Sequence, residues 1–355
     1  MNLRSRLKRR LIPITQKAAT DVHELRCIFF EITRRCNLAC LHCGSDCTAD
    51  SRADDLPAES ILKVLDEVRS KYDPHRIMVV LSGGEPLCYP NVFELGKEIA
   101  AREFPWGMVT NGFAWTGEMI PAARAANMAS ITVSLDGLED DHDWFRGRKD
   151  SFRRASRAIE LLARKPCYQK MDVVTCVNRR NLESMNELYE LVKRLGVTSW
   201  RIFTISPIGR AAKNPELMLT GPEMRRLFET IRDFRNRNEI AVHYSESGYL
   251  GHEFEEVVRD QPFFCQAGIS VAGVMIDGNI LACPNIDRRY AQGNIATDSF
   301  VEVWEHRYRV FRDRSWMKRG DCAGCREWRL CRGNSFHLFD PESSRTRICY
   351  CRMLA

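Results

Sequence analysis

The chain has 355 residues, of which 44% are hydrophobic and 28% charged, and its net charge is +6. That supports a sizeable core, argues against wholesale disorder and favours two domains on length. No apolar run is long enough for a membrane span, and the basic start meets Leu11, Ile12 and Pro13 instead of a signal-peptide core, so a cytoplasmic protein is expected.

Arg4, Arg6, Lys8, Arg9, Arg10 and Lys17 lie within residues 1–20, which contain no acidic residue. Residues 1–24 read as a solvated, partly disordered arm, or as a contact for an acidic partner or an anionic membrane surface. Over 25–243 short apolar runs alternate with amphipathic stretches. Strands are expected at Ile28–Thr33, Ile77–Leu81, Gly107–Thr110, Ser130–Leu135, Met171–Val177 and Ser199–Ile205. Helices are expected at Pro57–Lys71, Asn91–Arg102, Gly117–Ala126, Phe152–Arg164, Leu182–Leu195 and Gly221–Asn238. Six βα units imply an α/β fold with a parallel sheet and right-handed crossovers. Six falls short of a complete barrel, so a partial (β/α)6 TIM-like barrel is expected. Residues 244–262 read as a linker. Residues 263–355 read as a small Cys-rich domain stabilised by metal more than by an apolar core, since seven of the fifteen cysteines lie beyond residue 260. In a reducing compartment such cysteines point to metal ligands, not disulfides.

Cys36, Cys40 and Cys43 follow the first strand. Three thiolates in one short loop can hold three irons of a cubane and leave the fourth iron open. A zinc site completed by His42 or Cys47, or a chance run of buried cysteines, are the alternatives. Ser82-Gly83-Gly84-Glu85-Pro86 ends the second strand; the glycines allow close backbone approach to a ligand, and Glu85 adds a negative charge suited to an ammonium group. Ser134 and Asp136, two apart at the end of the fourth strand, point the same way and could bond a ribose diol, against an ordinary Asp-Gly turn as the alternative. Thr110-Asn111-Gly112 and Asn178 are weaker versions of the same pattern. These motifs fall at the C-terminal ends of successive strands, where a βα barrel places its active site. Nearer the C-terminus, Cys265, Cys283, Cys322, Cys325, Cys331, Cys349 and Cys351 have the density of an iron–sulfur or zinc site. Cys27, Cys47, Cys88, Cys167 and Cys176 read as small buried hydrophobes. Nothing resembles a nucleic-acid-binding module.

The Cys-x3-Cys-x2-Cys spacing after the first strand resembles the signature of radical S-adenosylmethionine (SAM) enzymes, and the resemblance runs from about Cys27 to Ala355. His42 stands where that family usually has an aromatic residue. The resemblance implies a catalytic [4Fe–4S] cluster on Cys36, Cys40 and Cys43 and the SAM amino group at Gly83, Gly84 and Glu85. It places Ser134, Asp136 and Asn178 near the ribose. The segment His142–Gly147 looks like the family's H-D-x-x-R-G, with Arg146 at the SAM carboxylate; a surface salt bridge is the alternative. The C-terminal cysteines resemble a SPASM domain, which usually carries two auxiliary [4Fe–4S] clusters. Cys322, Cys325, Cys331 and Cys349 match the second set. Cys265 and Cys283 match part of the first, but Ser335 stands where another thiolate is usual. At least one auxiliary [4Fe–4S] cluster is therefore expected, while the first is absent, open at one iron, or completed by Cys351, His337 or Ser335. Pro284 replaces the acidic residue that acts as a base in sulfatase-maturing relatives, which argues against that activity.

The implied activity is reductive cleavage of SAM to a 5′-deoxyadenosyl radical that takes hydrogen from a substrate. The expected substrate is a ribosomal peptide or protein side chain, as for bacterial maturases including the lipoprotein-associated branch. No leader-binding domain is expected before Cys27. A small molecule or tetrapyrrole side chain is the alternative substrate, and a non-catalytic Fe–S or zinc scaffold the alternative class. The implied partners are the peptide or protein substrate and an electron donor such as flavodoxin or ferredoxin.

Overall fold

The computed structural model describes residues 3–245, 248–340 and 342–354, with side chains from residue 9 onward. The barrel strands are β1 (Cys27–Thr33), β2 (Met78–Gly83), β3 (Trp106–Thr110), β4 (Ser130–Ser134), β5 (Lys170–Val177), β6 (Ser199–Thr204) and β7 (Ala241–Tyr244). They pair in parallel and in chain order. The N-terminal helix α1 (Leu3–Val22) precedes them, and α2 (Ala58–Arg69), α3 (Val92–Ala101), α4 (Met119–Ala125), α5 (Glu139–Arg146), α6 (Ser151–Arg164), α7 (Met185–Arg194) and α8 (Gly221–Arg237) lie between them.

Each crossover helix buries one stripe. Ile61, Val64, Leu65 and Val68 of α2 are buried, as are Ala155, Ala158, Ile159 and Leu162 of α6, at the spacing that puts them on one face. Burial of Ile28, Phe30 and Ile32 in β1 and of Trp200 and Ile202 in β6 completes the packed layer. Strands covered on both faces read as near-continuous apolar runs, which is why they are legible in the sequence.

Two features differ from the sequence expectation. The parallel run has more than six strands. β7 adds a seventh, and β8 (Val271–Val274), beyond a short α9 (Glu255–Val258), pairs in parallel with the free side of β1. β9 (Asn279–Leu281) and β10 (Gly293–Asn294) continue the same sheet in antiparallel fashion. Four-residue strands such as β7 and β8 carry too short an apolar run to stand out in sequence. The C-terminal region thus joins the barrel through backbone pairing. The buried carboxylate of Glu31 adds to the join by accepting from Arg288 Nη2 at 2.5 Å and from the Ile276 N–H at 3.1 Å. The rest of the C-terminal region is α10 (Phe300–His306), α11 (Arg309–Arg312), α12 (Trp328–Cys331), the small hairpin β11 (Phe339–Asp340) and β12 (Arg345–Thr346), and α13 (Tyr350–Met353).

The second difference is the arm. Residues 3–22 form a helix despite the internal Pro13. The helix is docked: Gln16 is buried and donates to the carbonyls of Leu330 (3.0 Å) and Phe263 (3.5 Å), and Arg9 pairs with Glu327 at 3.1 Å. A largely basic sequence hides this, because one buried amide, one ion pair and the single apolar contact of Ile12 take the place of a run of apolar residues. Arg4, Arg6 and Lys8 lie outside the described side chains. No helix among the described residues is long and apolar enough to cross a membrane.

Candidate active site

The loop after β1 carries Cys36, Cys40 and Cys43 and is pinned from several sides. Cys36 N–H bonds the Thr48 carbonyl at 3.0 Å, and Ala39 and Leu41 N–H groups bond the carbonyls of Arg146 and Phe145 at the end of α5. Arg210, beyond β6, clamps the far side: Nε donates to the Cys40 carbonyl (2.8 Å), Nη1 to the Cys47 carbonyl (3.0 Å), and its backbone N–H to the Cys43 carbonyl (2.9 Å). Gly209 has φ +56°, and a Cβ there would meet the carbonyl oxygens of Gly44 and Cys43 at 2.4 and 2.5 Å, so this close approach requires glycine. Arg210 and Gly209 carry no motif and were invisible in the sequence; only their distant contact reveals them.

The thiols have donors aimed at them. Asn111 Nδ2 lies 3.8 Å from Cys36 Sγ, and Arg146 Nη1 lies 3.6 Å from Cys40 Sγ. Burial pushes the Cys36 thiol up to about 12 and raises that of Cys40 against the pull of Arg146. A hydrogen bond from the Cys47 thiol, outweighing burial, brings Cys43 down to about 5. Cys47, read from sequence as a core residue, is thus a neighbour of the site. Among the described residues no three of His, Cys, Asp and Glu converge on one point as they would around a single metal ion. A cubane, in which each thiolate serves a different iron, does not require that convergence. The donor set and its N–H partners fit such a cluster.

The SAM-contact candidates are brought to this loop, though several are already engaged. Gly83 and Gly84 serve close approach to the chain itself, since a Cβ on either would meet the Thr33 or Arg35 carbonyl oxygen at 2.2 or 2.3 Å. Glu85 is 1% exposed; its carboxylate accepts from Thr110 Oγ1 (2.6 Å), Asn111 N–H (2.8 Å) and Leu87 N–H (3.2 Å). Burial raises its pKa, and these three donors oppose the rise. Asp136 accepts from Arg146 Nε at 2.5 Å and from Cys176 N–H at 2.7 Å. The expected surface alternative for Arg146 is therefore corrected: its salt bridge is buried, between Asp136 and the Cys40 sulfur. Asn178 Oδ1 accepts from the Arg180 and Asn181 N–H groups, which makes it a turn cap with its amide nitrogen left over. Ser134, also buried, has an uncommitted hydroxyl. His42 is buried and stacked on Phe145 at 4.0 Å, with Nδ1 lacking a partner. His142 accepts the Asp136 N–H at Nδ1, and burial holds its ring neutral.

In the C-terminal region Cys322, Cys325, Cys331 and Cys349 lie close together: burial, and after it the neighbouring thiolates of the group, raise the thiols of Cys322 and Cys331. Cys351 joins them, with its sulfur 3.6 Å from that of Cys349. Cys265 and Cys283 lie elsewhere, lining a cavity of about 550 Å³ at the seam between β7 and β8 together with His337. Burial would raise the Cys265 thiol, yet the guanidinium of Arg314 beside it brings it below the ordinary value. Ser335 is fully buried with no partner for its hydroxyl. Cys351 thus lies with the other group of cysteines, while Cys265 and Cys283 have Arg314, His337 and the buried Cys27 thiol, which is next to Cys283, as neighbours.

Residues 30–192 match the radical SAM superfamily and residues 265–326 the iron–sulfur cluster-binding SPASM domain. The AdoMet-dependent heme synthase of Methanosarcina barkeri (strain Fusaro) is 30% identical over 329 residues, spanning 87% of this chain and 90% of that protein. The mycofactocin maturase MftC of Mycolicibacterium smegmatis is 30% identical over 316 residues, spanning 86% and 77%. The fold is also that of Streptococcus suis SuiB bound to its precursor peptide SuiA, with a TM-score of 0.74 at 16% identity over 96% of this chain and 79% of that one. The chain belongs to the radical SAM superfamily and carries a SPASM domain. It is an enzyme whose cofactors are a [4Fe–4S] cluster and SAM, with auxiliary iron–sulfur in the C-terminal region.

Proposed function

We propose that Cys36, Cys40 and Cys43 hold the catalytic cluster, and that the enzyme modifies a residue of a ribosomal peptide or a protein side chain in the cytoplasm. When bound, the cluster and SAM supply a one-electron cleavage of the SAM C5′–S bond, and the resulting 5′-deoxyadenosyl radical takes a hydrogen atom from the substrate. The chain's own part is positional. Arg210 and the α5 carbonyls fix the cysteine loop, Asn111 links Cys36 to Glu85, and Arg146 sits between Asp136 and Cys40. Gly83, Gly84 and Glu85 offer the amino-group site, with Ser134 and the Asn178 amide nitrogen as the free groups for the ribose. Cys322, Cys325, Cys331 and Cys349 hold one auxiliary cluster, with electrons supplied by a flavodoxin- or ferredoxin-type donor.

The observation that carries the peptide reading is the shape of the barrel mouth. A cleft of about 420 Å³ beside the cysteine loop shares Asn285, Ile286, Phe336 and His337 with the 550 Å³ seam cavity, so the two adjoin and together offer room for several residues of a peptide. The likeness to the mycofactocin maturase supports it. Modification of a tetrapyrrole side chain is the second reading, favoured by the heme synthase likeness over most of both chains. Anaerobic incubation with SAM, reductant and peptides encoded beside the gene, followed by mass spectrometry, tests the first; a mass change on a tetrapyrrole but on no peptide would replace it with the second.

A further inference from the structure

The cleft beside the cysteine loop is unusually cationic for a trench that must take an organic substrate. Gly44 and Ser45, directly after Cys43, line it, as does Pro284, directly after Cys283. Arg34, Arg288 and Arg347 converge on it from three separate parts of the chain. Among the described residues neither Arg34 nor Arg347 has a carboxylate within salt-bridge distance. Arg34 Nη2 donates to the Ser45 carbonyl at 2.6 Å and Arg347 Nη1 to the Pro207 carbonyl at 3.3 Å. Arg288 spends Nη2 on Glu31 (2.5 Å), while its Nη1 makes no hydrogen bond and lies 3.9 Å from Asp277. Asp287, the acid of this cleft, is already taken by Arg289 at 3.0 Å. His337 adds no charge near neutral pH, because burial, followed by Arg347 and Arg314, holds its ring down at about 4.

Among the described residues, two guanidiniums without a carboxylate in salt-bridge distance, Arg347 lying near Asp287 and Asp340, and a third with a nitrogen that makes no hydrogen bond surround a cleft that touches the cysteine loop, an arrangement suited to an anion. The planar fork of a guanidinium matches a carboxylate with two parallel N–H···O bonds. We propose that Arg34, Arg288 and Arg347 form a carboxylate clamp, and that the substrate is held by a carboxylate beside the cysteine loop. The clamp rests on the radical SAM reading of that loop and adds the substrate's chemistry to it. The carboxylate belongs either to a peptide, as its C-terminus or an acidic side chain, or to a propionate of a tetrapyrrole. Arg347, which follows β12, is the specificity-determining member. Arg34 also supports the loop and Arg288 also neutralises Glu31, whereas Arg347 has neither duty.

The test is affinity selection on the anaerobically reconstituted, SAM-loaded holoenzyme, with retained ligand read by mass spectrometry. The probes are coproporphyrin III against its tetramethyl ester, and an N-acetyl tetrapeptide library with free C-termini against the same library amidated. At least one acid form should be retained about tenfold or more over its neutral counterpart, the scale of one charge-assisted pair, and that pair identifies the source. Arg347→Gln should abolish the preference, Arg347→Lys should restore part of it, and Arg329→Gln, the same charge change beside a different cavity next to α1, should keep it. Equal retention of acid and neutral forms, retention of none, or a preference that survives Arg347→Gln would overturn the clamp. Iron content of each variant separates a lost clamp from a lost cluster. Release of 5′-deoxyadenosine by the wild type without substrate, measured first, tests the radical SAM reading on its own.

Discussion

Glu85 shows how one side chain serves packing and chemistry together. Its carboxylate ties the end of β2 to the end of β3 through Thr110 and Asn111, and Asn111 in turn reaches Cys36. In Glu85→Ala the buried Asn111 N–H loses its acceptor and an ammonium ligand loses its counter-charge. SAM affinity should fall by about 1.5–3 kcal/mol, roughly tenfold or more. Equilibrium binding of SAM to the reconstituted variant checks this; an unchanged dissociation constant with an intact fold would leave Glu85 a purely structural role. Motif reading found Glu85 and the three loop cysteines because spacing alone marks them. It placed Asp136 near a ribose; the same carboxylate also accepts from Arg146 and the Cys176 N–H, a link from the end of β4 to α5 and β5 that no local pattern announces. Arg210 and the three arginines of the cleft escaped for the same reason, since their partners lie far away in the chain.

At the level of elements, the crossover helices and the long parallel strands were legible because each buries a periodic apolar face. The short strands β7, β8 and β10 were not, since two to four residues carry no period, and only pairing with an existing sheet edge makes them strands. The docked helix α1 was missed because its contact is largely polar, with Ile12 as its apolar contribution to the core. Gln16 is buried against two backbone carbonyls, one on α12 beside Cys331. Gln16→Leu should cost about 1–3 kcal/mol by stranding the buried Leu330 carbonyl. Urea unfolding of the holoprotein reads that loss, and hydrogen exchange over residues 3–22 should quicken with it. An unaltered midpoint and unaltered exchange would mean that the helix is held by something other than Gln16.

Across the whole molecule, the C-terminal region and the barrel share one ten-stranded sheet, so metal and apolar core stabilise a continuous structure. On the proposed assignment Cys322, Cys325, Cys331 and Cys349 supply four thiolates, while Cys265 faces Arg314, Cys283 lies by Cys27, and position 335 supplies a serine in place of a thiol. Reconstituted protein should therefore hold about eight irons per chain, from two four-iron clusters. Cys265→Ala/Cys283→Ala should leave that number unchanged; a count near twelve that falls to eight in the double variant would show a third cluster surviving without the usual ligand. The catalytic role of the loop after β1 meets its most direct test in 5′-deoxyadenosine, measured by mass spectrometry after anaerobic incubation with SAM and dithionite. The account predicts release by the wild type and none by Cys36→Ala/Cys40→Ala/Cys43→Ala, whose C-terminal iron remains. Continued release by the triple variant would contradict it.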